Sequence, residues 1–224
     1  MTLSREERET ILRSKLFAEI QPEQLDTLLS CLGAELREYE PGSWVIQEGE
    51  RVTEVGLVLT GNARSLKLDG DAEPLIISLL ERGSFLGVLL AASRNHRSPV
   101  CVQAQSPLRV LFLSAAQLIT PCKDGCADHT ILLRNFLDSV AEQSLSLNDR
   151  IGCLVQPTVR KKVSAYLTRL SEEKGTREFT IPLDRSAMAN YLNVERSALS
   201  RELSHMKADG LIEYRMNRFR LLSL

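Results

Sequence analysis

The amino-acid sequence predicts an α+β protein with three successive parts: a region of short strands, one long helix, and a small C-terminal domain of helices and strands. Three observations support this prediction. Residues 36–113 alternate short apolar runs with glycine turns, as antiparallel sandwiches do. Residues 128–154 lack proline and repeat apolar side chains every three or four positions. Residues 183–222 combine two short helical patterns with a basic hairpin.

The first part begins with helices and continues as strands. Two short helices are predicted over residues 5–32, because Leu12, Leu16 and Ile20 fall four apart and a leucine-rich group follows Pro22. The strands follow from alternation between glycine turns, and we place them at residues 44–47, 55–59, 64–68, 75–80, 100–104 and 108–113. Their number and spacing predict a double-stranded β-helix, that is, a jelly-roll-like β-roll.

The long helix carries a seam of positions spaced alternately four and three residues apart, with Ser144 as its one polar member. This heptad pattern favours a two-stranded coiled coil, and hence a homodimer, over a helix packed only on its own domain, which needs a wider apolar stripe. The predicted interface residues are Leu133, Leu137, Val140, Leu147, Ile151 and Leu154. Pro157 ends the helix and marks a domain boundary and a hinge.

A helix–turn–helix pattern lies between Leu183 and Gly210. Asp184 is the expected N-cap of the first helix, and Asn193 tolerates the left-handed backbone of a turn. The outward residues of the second helix are Arg196, Ser197, Ser200, Arg201 and His205. Arginines and hydroxyls on one helix face can bind guanine edges and phosphates, which predicts binding to double-stranded DNA. The alternative is an ordinary helical hairpin whose charges are solvated.

A basic β-hairpin follows the second helix directly. Two short strands flank the turn at Met216 and Asn217, with Arg215, Arg218 and Arg220 around them. A hairpin in this place is the wing of a winged helix-turn-helix, and Arg218 is its predicted DNA contact. The combination is rarer by chance than either part, so it favours DNA binding over the plain hairpin.

Charge and cysteine content limit the setting in which the protein works. Residues 156–224 carry 13 Lys and Arg against 8 Asp and Glu, whereas the rest of the chain carries 15 against 21. Only the C-terminal part is therefore expected to meet a polyanion. The five cysteines are scattered, the N-terminus is charged, and no apolar run is long enough to cross a bilayer. These features predict a cytoplasmic, reduced setting without a membrane partner.

The order of elements resembles the Crp/Fnr family of bacterial transcription regulators over nearly the full chain. The resemblance rests on PGSWVIQEG at 41–49, Thr60-Gly61, RGSFLG at 82–87, Arg97-Ser98, and the helix–turn–helix with Arg196 and Arg201. It implies a homodimer that reads a palindromic operator, a small-molecule effector that shifts the hinge, and RNA polymerase as a further partner. It also implies an effector-sensing domain at 1–127, a dimerisation helix and hinge at 128–155, and a DNA-binding domain at 156–224.

The effector-binding residues implied by the resemblance are Gly87, Val88, Arg97, Ser98, Ser144, Leu145 and Ser146. Cyclic-nucleotide-binding members have a glutamate where this chain has Val88, and Pro99 replaces their usual alanine. Cyclic AMP is therefore not the expected effector, whereas an anionic or small organic effector stays open. A salt bridge to a carboxylate would explain Arg97 equally well. In the recognition helix, Ser197 replaces a common glutamate and Glu202 a common apolar residue.

Other chemistries have weaker support in the sequence. Cys122 and Cys126 form a C-x₃-C pair near His129, which leaves redox or metal sensing open without a fourth ligand. A haem-sensing member would use His96, the imidazole nearest the effector loop. A cupin-like metalloenzyme needs clustered histidines, whereas His96, His129 and His205 are dispersed. We therefore expect no enzyme, no metal site and no cofactor that the sequence identifies.

Overall fold

The computed structural model of the chain describes residues 2–68, 70, 74–120 and 127–223. The chain forms two compact units, residues 1–144 and 145–224. The helices are α1 (Arg5–Arg13), α2 (Leu25–Cys31), α3 (Val88–Ala92), α4 (Ala115–Ile119), α5 (Ala127–Leu154), α6 (Val159–Lys174), α7 (Arg185–Tyr191) and α8 (Arg196–Ala208). Across the described residues, no helix combines the length and apolar content needed to span a membrane.

The strands of the first unit are β1 (Glu35–Tyr39), β2 (Trp44–Ile46), β3 (Glu54–Thr60), β4 (Ala63–Lys67), β5 (Leu75–Leu80), β6 (Phe85–Leu86), β7 (Cys101–Ala104) and β8 (Leu108–Ser114). They form two four-stranded antiparallel sheets, ordered β1-β8-β3-β6 and β2-β7-β4-β5. The predicted β-roll and the α+β class are confirmed. All six predicted strands are present, and β1, β6, α3 and α4 are additions.

Two cores hold the first unit together. One lies between the sheets and includes Val45, Val58, Val102 and Phe112. The other lies between the outer face of the first sheet and the helices, where Leu57 and Leu111 meet α1, α2 and the start of α5. Strands β3 and β8 are therefore buried on both faces, as their nearly continuous apolar sequence requires.

The second unit contains α6, α7 and α8 with strands β9 (Glu178–Thr180), β10 (Ile212–Arg215) and β11 (Arg218–Leu221). These strands form an antiparallel sheet ordered β10-β11-β9. The helices pack through fully buried side chains: Val163, Leu167, Leu199, Leu203 and Met206. The predicted winged helix-turn-helix is confirmed. The last turns of α5 belong to the second unit, since the division falls after Ser144.

Candidate nucleic-acid interface and effector site

The turn between α7 and α8 is fixed by local hydrogen bonds. Asp184 caps α7 as predicted, because its Oδ1 accepts a hydrogen bond from the Ala187 amide at 2.7 Å. Asn193 adopts the expected left-handed backbone at φ +50°. Lys162 on α6 donates to the carbonyls of Leu192 and Asn193, each at 3.3 Å. The turn therefore holds α8 at a defined place on the unit.

Helix α8 separates its apolar and polar faces cleanly. Leu199, Leu203 and Met206 are fully buried against the unit. Of the predicted DNA-binding residues of α8, four are exposed and Ser200 is half-buried: Arg196, Ser197, Ser200, Arg201 and His205. Helical periodicity places Ser197, Arg201 and His205 on the side opposite the buried face, and Arg196 at the start of the helix. Neither Arg196 nor Arg201 forms an ion pair within the described part of the chain. Both guanidinium groups are thus available to acceptors such as guanine or phosphate.

The wing places its arginines in different surroundings. Arg218, the predicted contact, forms a 2.5 Å ion pair with Glu178 on β9, so its charge is already compensated. Arg215 at the end of β10 is exposed, and the described residues offer it no carboxylate. The sequence pattern did not distinguish Arg215 from Arg218. The partner of Arg218 lies on β9, which pairs with β11 but is distant from it along the chain.

Arg185 is a further cation at the wing, which the sequence pattern did not predict. Its guanidinium lies 5.2 Å from the centre of the Tyr214 ring and donates to the Met216 carbonyl at 3.3 Å. Lys207 of α8 approaches the same ring, with Nζ 5.6 Å from its centre. Tyr214 stacks on Phe219 at 5.7 Å, and this aromatic pair therefore places two cations beside the wing. An arginine at the first position of α7 was the only available sequence signal.

Helix α5 leaves an apolar stripe exposed. Of the predicted interface residues, Leu137 and Ile151 are 59% and 58% exposed. Leu133, Val140, Leu147 and Leu154 are half-buried, and Val140 packs against the first unit's own core. Leu145 and Val155, 63% and 69% exposed, widen the stripe. These side chains lie on one side of the helix, where a partner would remove them from water.

The last turns of α5 are tied to the first helix of the helix–turn–helix. Arg150 is buried, lies 4.6 Å above the Tyr191 ring and donates to the Tyr191 carbonyl at 3.4 Å. Burial lowers the pKa of Arg150 from its ordinary value, as expected for a cation removed from water. Burial also raises the pKa of the neighbouring Cys153 thiol, which keeps it in its unreactive form.

Gly87 and Val88 lie at the start of α3, next to the first residue of β3. Gly87 has φ +76°, and a Cβ there would approach the Glu54 carbonyl oxygen to 2.7 Å, so no other residue fits this conformation. Val88, the residue that replaces the family's glutamate, is only 1% exposed and belongs to the core beneath the helices. It therefore presents no polar group to an effector.

Arg97 and Ser98 lie opposite residues 49–51 in an antiparallel bridge. The Arg97 guanidinium is exposed and donates to the Gly49 carbonyl at 2.9 Å, so a backbone oxygen takes the place of the carboxylate we considered. The Ser98 hydroxyl is buried and donates to the Val100 carbonyl at 2.7 Å. Arg51, exposed and paired with Arg97 in the bridge, adds a second cation at this edge.

The remaining predicted effector residues lie on α5. Ser144 donates its hydroxyl to the Val140 carbonyl of its own helix at 2.9 Å, while Leu145 and Ser146 are exposed. Cys122 and Cys126 lie outside the described residues. His129 is buried with Nε2 3.1 Å from the Leu118 carbonyl oxygen. Among the described residues, no three His, Cys, Asp or Glu side chains converge as metal ligands would.

Together these features define a winged-helix DNA-binding protein with a β-roll of the cyclic-nucleotide-binding type. Residues 36–124 match the family model of the cyclic nucleotide-binding domain, and residues 161–224 match that of the Crp-like helix-turn-helix domain. The chain is 24% identical over 185 residues to the transcriptional activator protein FnrL of Cereibacter sphaeroides, covering 79% of this chain and 71% of FnrL.

Solved structures share the same fold. FixK2 from Bradyrhizobium japonicum aligns with a TM-score of 0.65 at 18% identity, covering 84% of this chain and 92% of its own. The c-di-GMP-responsive regulator CLP of Xanthomonas campestris aligns with a TM-score of 0.67 at 17% identity, covering 91% of this chain and 100% of its own. CooA from Carboxydothermus hydrogenoformans aligns with a TM-score of 0.63 at 17% identity, covering 100% of this chain and 94% of its own. The chain belongs to the Crp/Fnr family of transcription regulators, and its helix-turn-helix is a DNA-binding domain.

Proposed function

We propose that the protein acts as a homodimer that reads a palindromic DNA operator through α8 of each subunit, with DNA affinity controlled by a small effector at the β-roll. The observation that carries this proposal is the outward face of α8. Arg201 is exposed there and Arg196 is exposed at the start of the helix, both without ion-pair partners in the described part of the chain, while the opposite face is fully buried. Such a face suits the major groove, where arginine binds guanine with two hydrogen bonds.

The exposed stripe of α5 supports the homodimer. Leu137, Ile151 and Val155 would be removed from water if two α5 helices met along this side, as in a coiled coil. A two-fold symmetric pair of subunits presents two identical recognition helices, and its operator then repeats the half-site in inverted order. Ser197 at the place of the family's common glutamate favours a half-site without the base that glutamate would select.

The effector loop supports an effector other than cyclic AMP. Val88 is buried and apolar where ribose binding would need a carboxylate, and the Ser98 hydroxyl is already used within the loop. Arg97 and Arg51 are exposed cations at the same edge, which favours an anionic ligand. A haem role for His96 has less support, because its Nδ1 lies 3.0 Å from the Leu90 carbonyl.

Selection from a random pool of double-stranded DNA tests the main proposal. Full-length protein should enrich an inverted repeat whose half-site centres lie one helical turn, about 34 Å, apart. Binding of the enriched DNA should then be measured with cyclic AMP, cyclic di-GMP and a panel of metabolite anions. An enriched sequence without two-fold symmetry would contradict the palindrome, and failure to enrich any sequence would contradict specific recognition.

The dimer has its own test in Ile151→Lys. This side chain is exposed in the single chain, so the substitution should leave the subunit folded while placing a charge in the dimer seam. Sedimentation should show monomers, and operator affinity should fall by about a hundredfold or more because two half-sites no longer act together. Asp149→Lys, exposed on another side of α5, is the matched control and should remain dimeric. Unchanged mass for Ile151→Lys would refute this interface.

A further inference from the structure

Two carboxylates lie on one flank of the recognition helix. Glu202 and Asp209 are seven residues apart, which is about two helical turns, so they share a side of the helical segment that begins with α8. This side borders the exposed face that carries Arg201 and His205. Unpaired carboxylates so close to a DNA-binding face would repel phosphates, and the interaction would act over the Debye length of about 8 Å at physiological salt.

A single arginine from α6 binds both carboxylates. Arg160 Nε lies 2.5 Å from Glu202 Oε1, and Nη1 lies 2.7 Å from Asp209 Oδ2. Its planar guanidinium can satisfy both partners at once, whereas a lysine would be a single point charge. The hydrogen bond to Glu202, and to a smaller extent that to Asp209, raises the pKa of Arg160 above its ordinary value, so its side chain stays positively charged.

The contact also explains a departure in the sequence. Glu202 stands where family members commonly have an apolar residue, yet its side chain is only 21% exposed. A half-buried carboxylate is stable at that place because the guanidinium of Arg160 supplies both charge and a hydrogen bond. Glu202 and Arg160 therefore form a pair that replaces apolar packing between α6 and α8.

We propose that Arg160 is a positioning residue for DNA recognition: it compensates the charge of Glu202 and Asp209, which keeps the half-buried Glu202 carboxylate packed between α6 and α8 and removes both charges from the surface that meets the phosphates. It acts through these carboxylates and not by touching DNA. The proposal rests on the proposed DNA-reading role of α8. Its own failure is distinguishable from failure of that role, because one readout below requires no DNA.

The DNA readout compares three variants of the full chain on the selected operator and on a random-sequence duplex. Arg160→Ala should lower affinity for both duplexes by about tenfold or more, because two carboxylates are left facing the phosphates. The triple variant Arg160→Ala/Glu202→Gln/Asp209→Asn should recover to within about threefold of the parent, with an unchanged dependence on salt. Lys174→Ala, which removes an exposed charge at the end of the same helix, is the control and should stay close to the parent.

A triple variant that stays as weak as Arg160→Ala overturns the proposal. If its salt slope is also smaller by about 1, Arg160 is a phosphate contact instead. An Arg160→Ala variant no weaker than Lys174→Ala overturns it as well.

Hydrogen exchange measured by mass spectrometry on the free protein gives the second readout. Arg160→Ala should accelerate exchange in peptides covering residues 196–209, since the half-buried Glu202 carboxylate is left without its cation and destabilises the packing of α8. Exchange that is unchanged there overturns the proposal. If the parent protein binds no duplex, the proposed function fails, whereas this measurement still decides whether Arg160 stabilises the packing of α8.

Discussion

Helix α8 and the loop that carries Arg97 and Ser98 both contain arginines and hydroxyls, yet these groups have different surroundings. On α8, Arg196 and Arg201 stand exposed without an ion pair in the described chain, over a fully apolar inner face. In the loop, Arg97 donates to the Gly49 carbonyl and the Ser98 hydroxyl donates to the Val100 carbonyl, so each already has a partner. Val88, at the place of a ligand-binding glutamate, is part of the core.

The difference separates a surface whose donors are free from one whose donors are already hydrogen-bonded within the protein. A ligand for α8 needs to displace only water. A ligand for the loop must compete with backbone acceptors that Arg97 and Ser98 already satisfy, and each such exchange offsets part of the binding free energy. Residues that match a ligand-binding motif are therefore stronger evidence for a site when their hydrogen-bond donors are not already used within the protein.

The largest effect expected is from Val88→Glu, which restores the family's glutamate. A carboxylate at this buried place has no cation to pair with in the described core, so the free energy of unfolding should fall by about 3 kcal/mol or more. Denaturant unfolding measures this, with the similarly sized but apolar Val88→Leu as control. A stable Val88→Glu protein that binds cyclic AMP would contradict this expectation. It would show that the loop can bind a ligand despite the hydrogen bonds that its side chains already make.

Arg201→Ala comes next and tests the other side of the comparison. Loss of a two-hydrogen-bond contact to a base should weaken operator binding by about 1–3 kcal/mol and relax specificity at one position of each half-site. Competition between operator and single-base variants measures it. Discrimination equal to that of the parent would mean that the exposed face of α8 does not read bases.

The two wing arginines sharpen the comparison within the DNA-binding unit itself. Arg215→Ala should reduce the salt slope of DNA binding by about 1, because a free cation is lost. Arg218→Ala should change it less, since Glu178 already holds that guanidinium at 2.5 Å. Affinity measured at several salt concentrations decides between them. If Arg218→Ala reduces the salt slope more than Arg215→Ala does, the ion pair between Arg218 and Glu178 opens when DNA binds.

Arg97→Ala should have the smallest effect on the free protein. The guanidinium is exposed and makes one hydrogen bond to a backbone carbonyl, so the free energy of unfolding should change by less than about 1 kcal/mol. Calorimetry measures the change, and Arg94→Ala in the same loop is the matched control. A drop of several kcal/mol would assign Arg97 a structural role and argue against an effector there.

Pattern alone predicted the long strands, α5 and the helix–turn–helix, because each shows clear periodicity over many residues. It missed β1, whose sequence ELREY lacks apolar alternation. Strand β1 is held to its neighbours partly by Arg37. The Arg37 guanidinium lies 4.4 Å above the ring of Phe112 on β8 and forms an ion pair with Glu54 on β3. It also missed α3 and α4, which are five residues each and too short for a helical period to appear.

The candidate sites divide in the same way. The exposed face of α8 could be predicted because exposure on a helix follows from the spacing of its apolar residues. The pairing of Arg218 with Glu178 and of Arg160 with Glu202 could not, since each joins segments whose proximity depends on the tertiary fold. The half-burial of Val140 likewise depends on the β-roll packing against α5, which the heptad pattern does not contain.

Gly152 is the one glycine within α5 and lies near the C-terminal end of the helix. A methyl group at this position would meet nothing within 4 Å, so alanine would fit and would stabilise the helix by roughly 0.5–1 kcal/mol. The residues on either side are anchored, since Arg150 and Cys153 are both buried. The last turns of α5 thus retain a backbone freedom that one methyl group would remove, between two residues that burial holds in place.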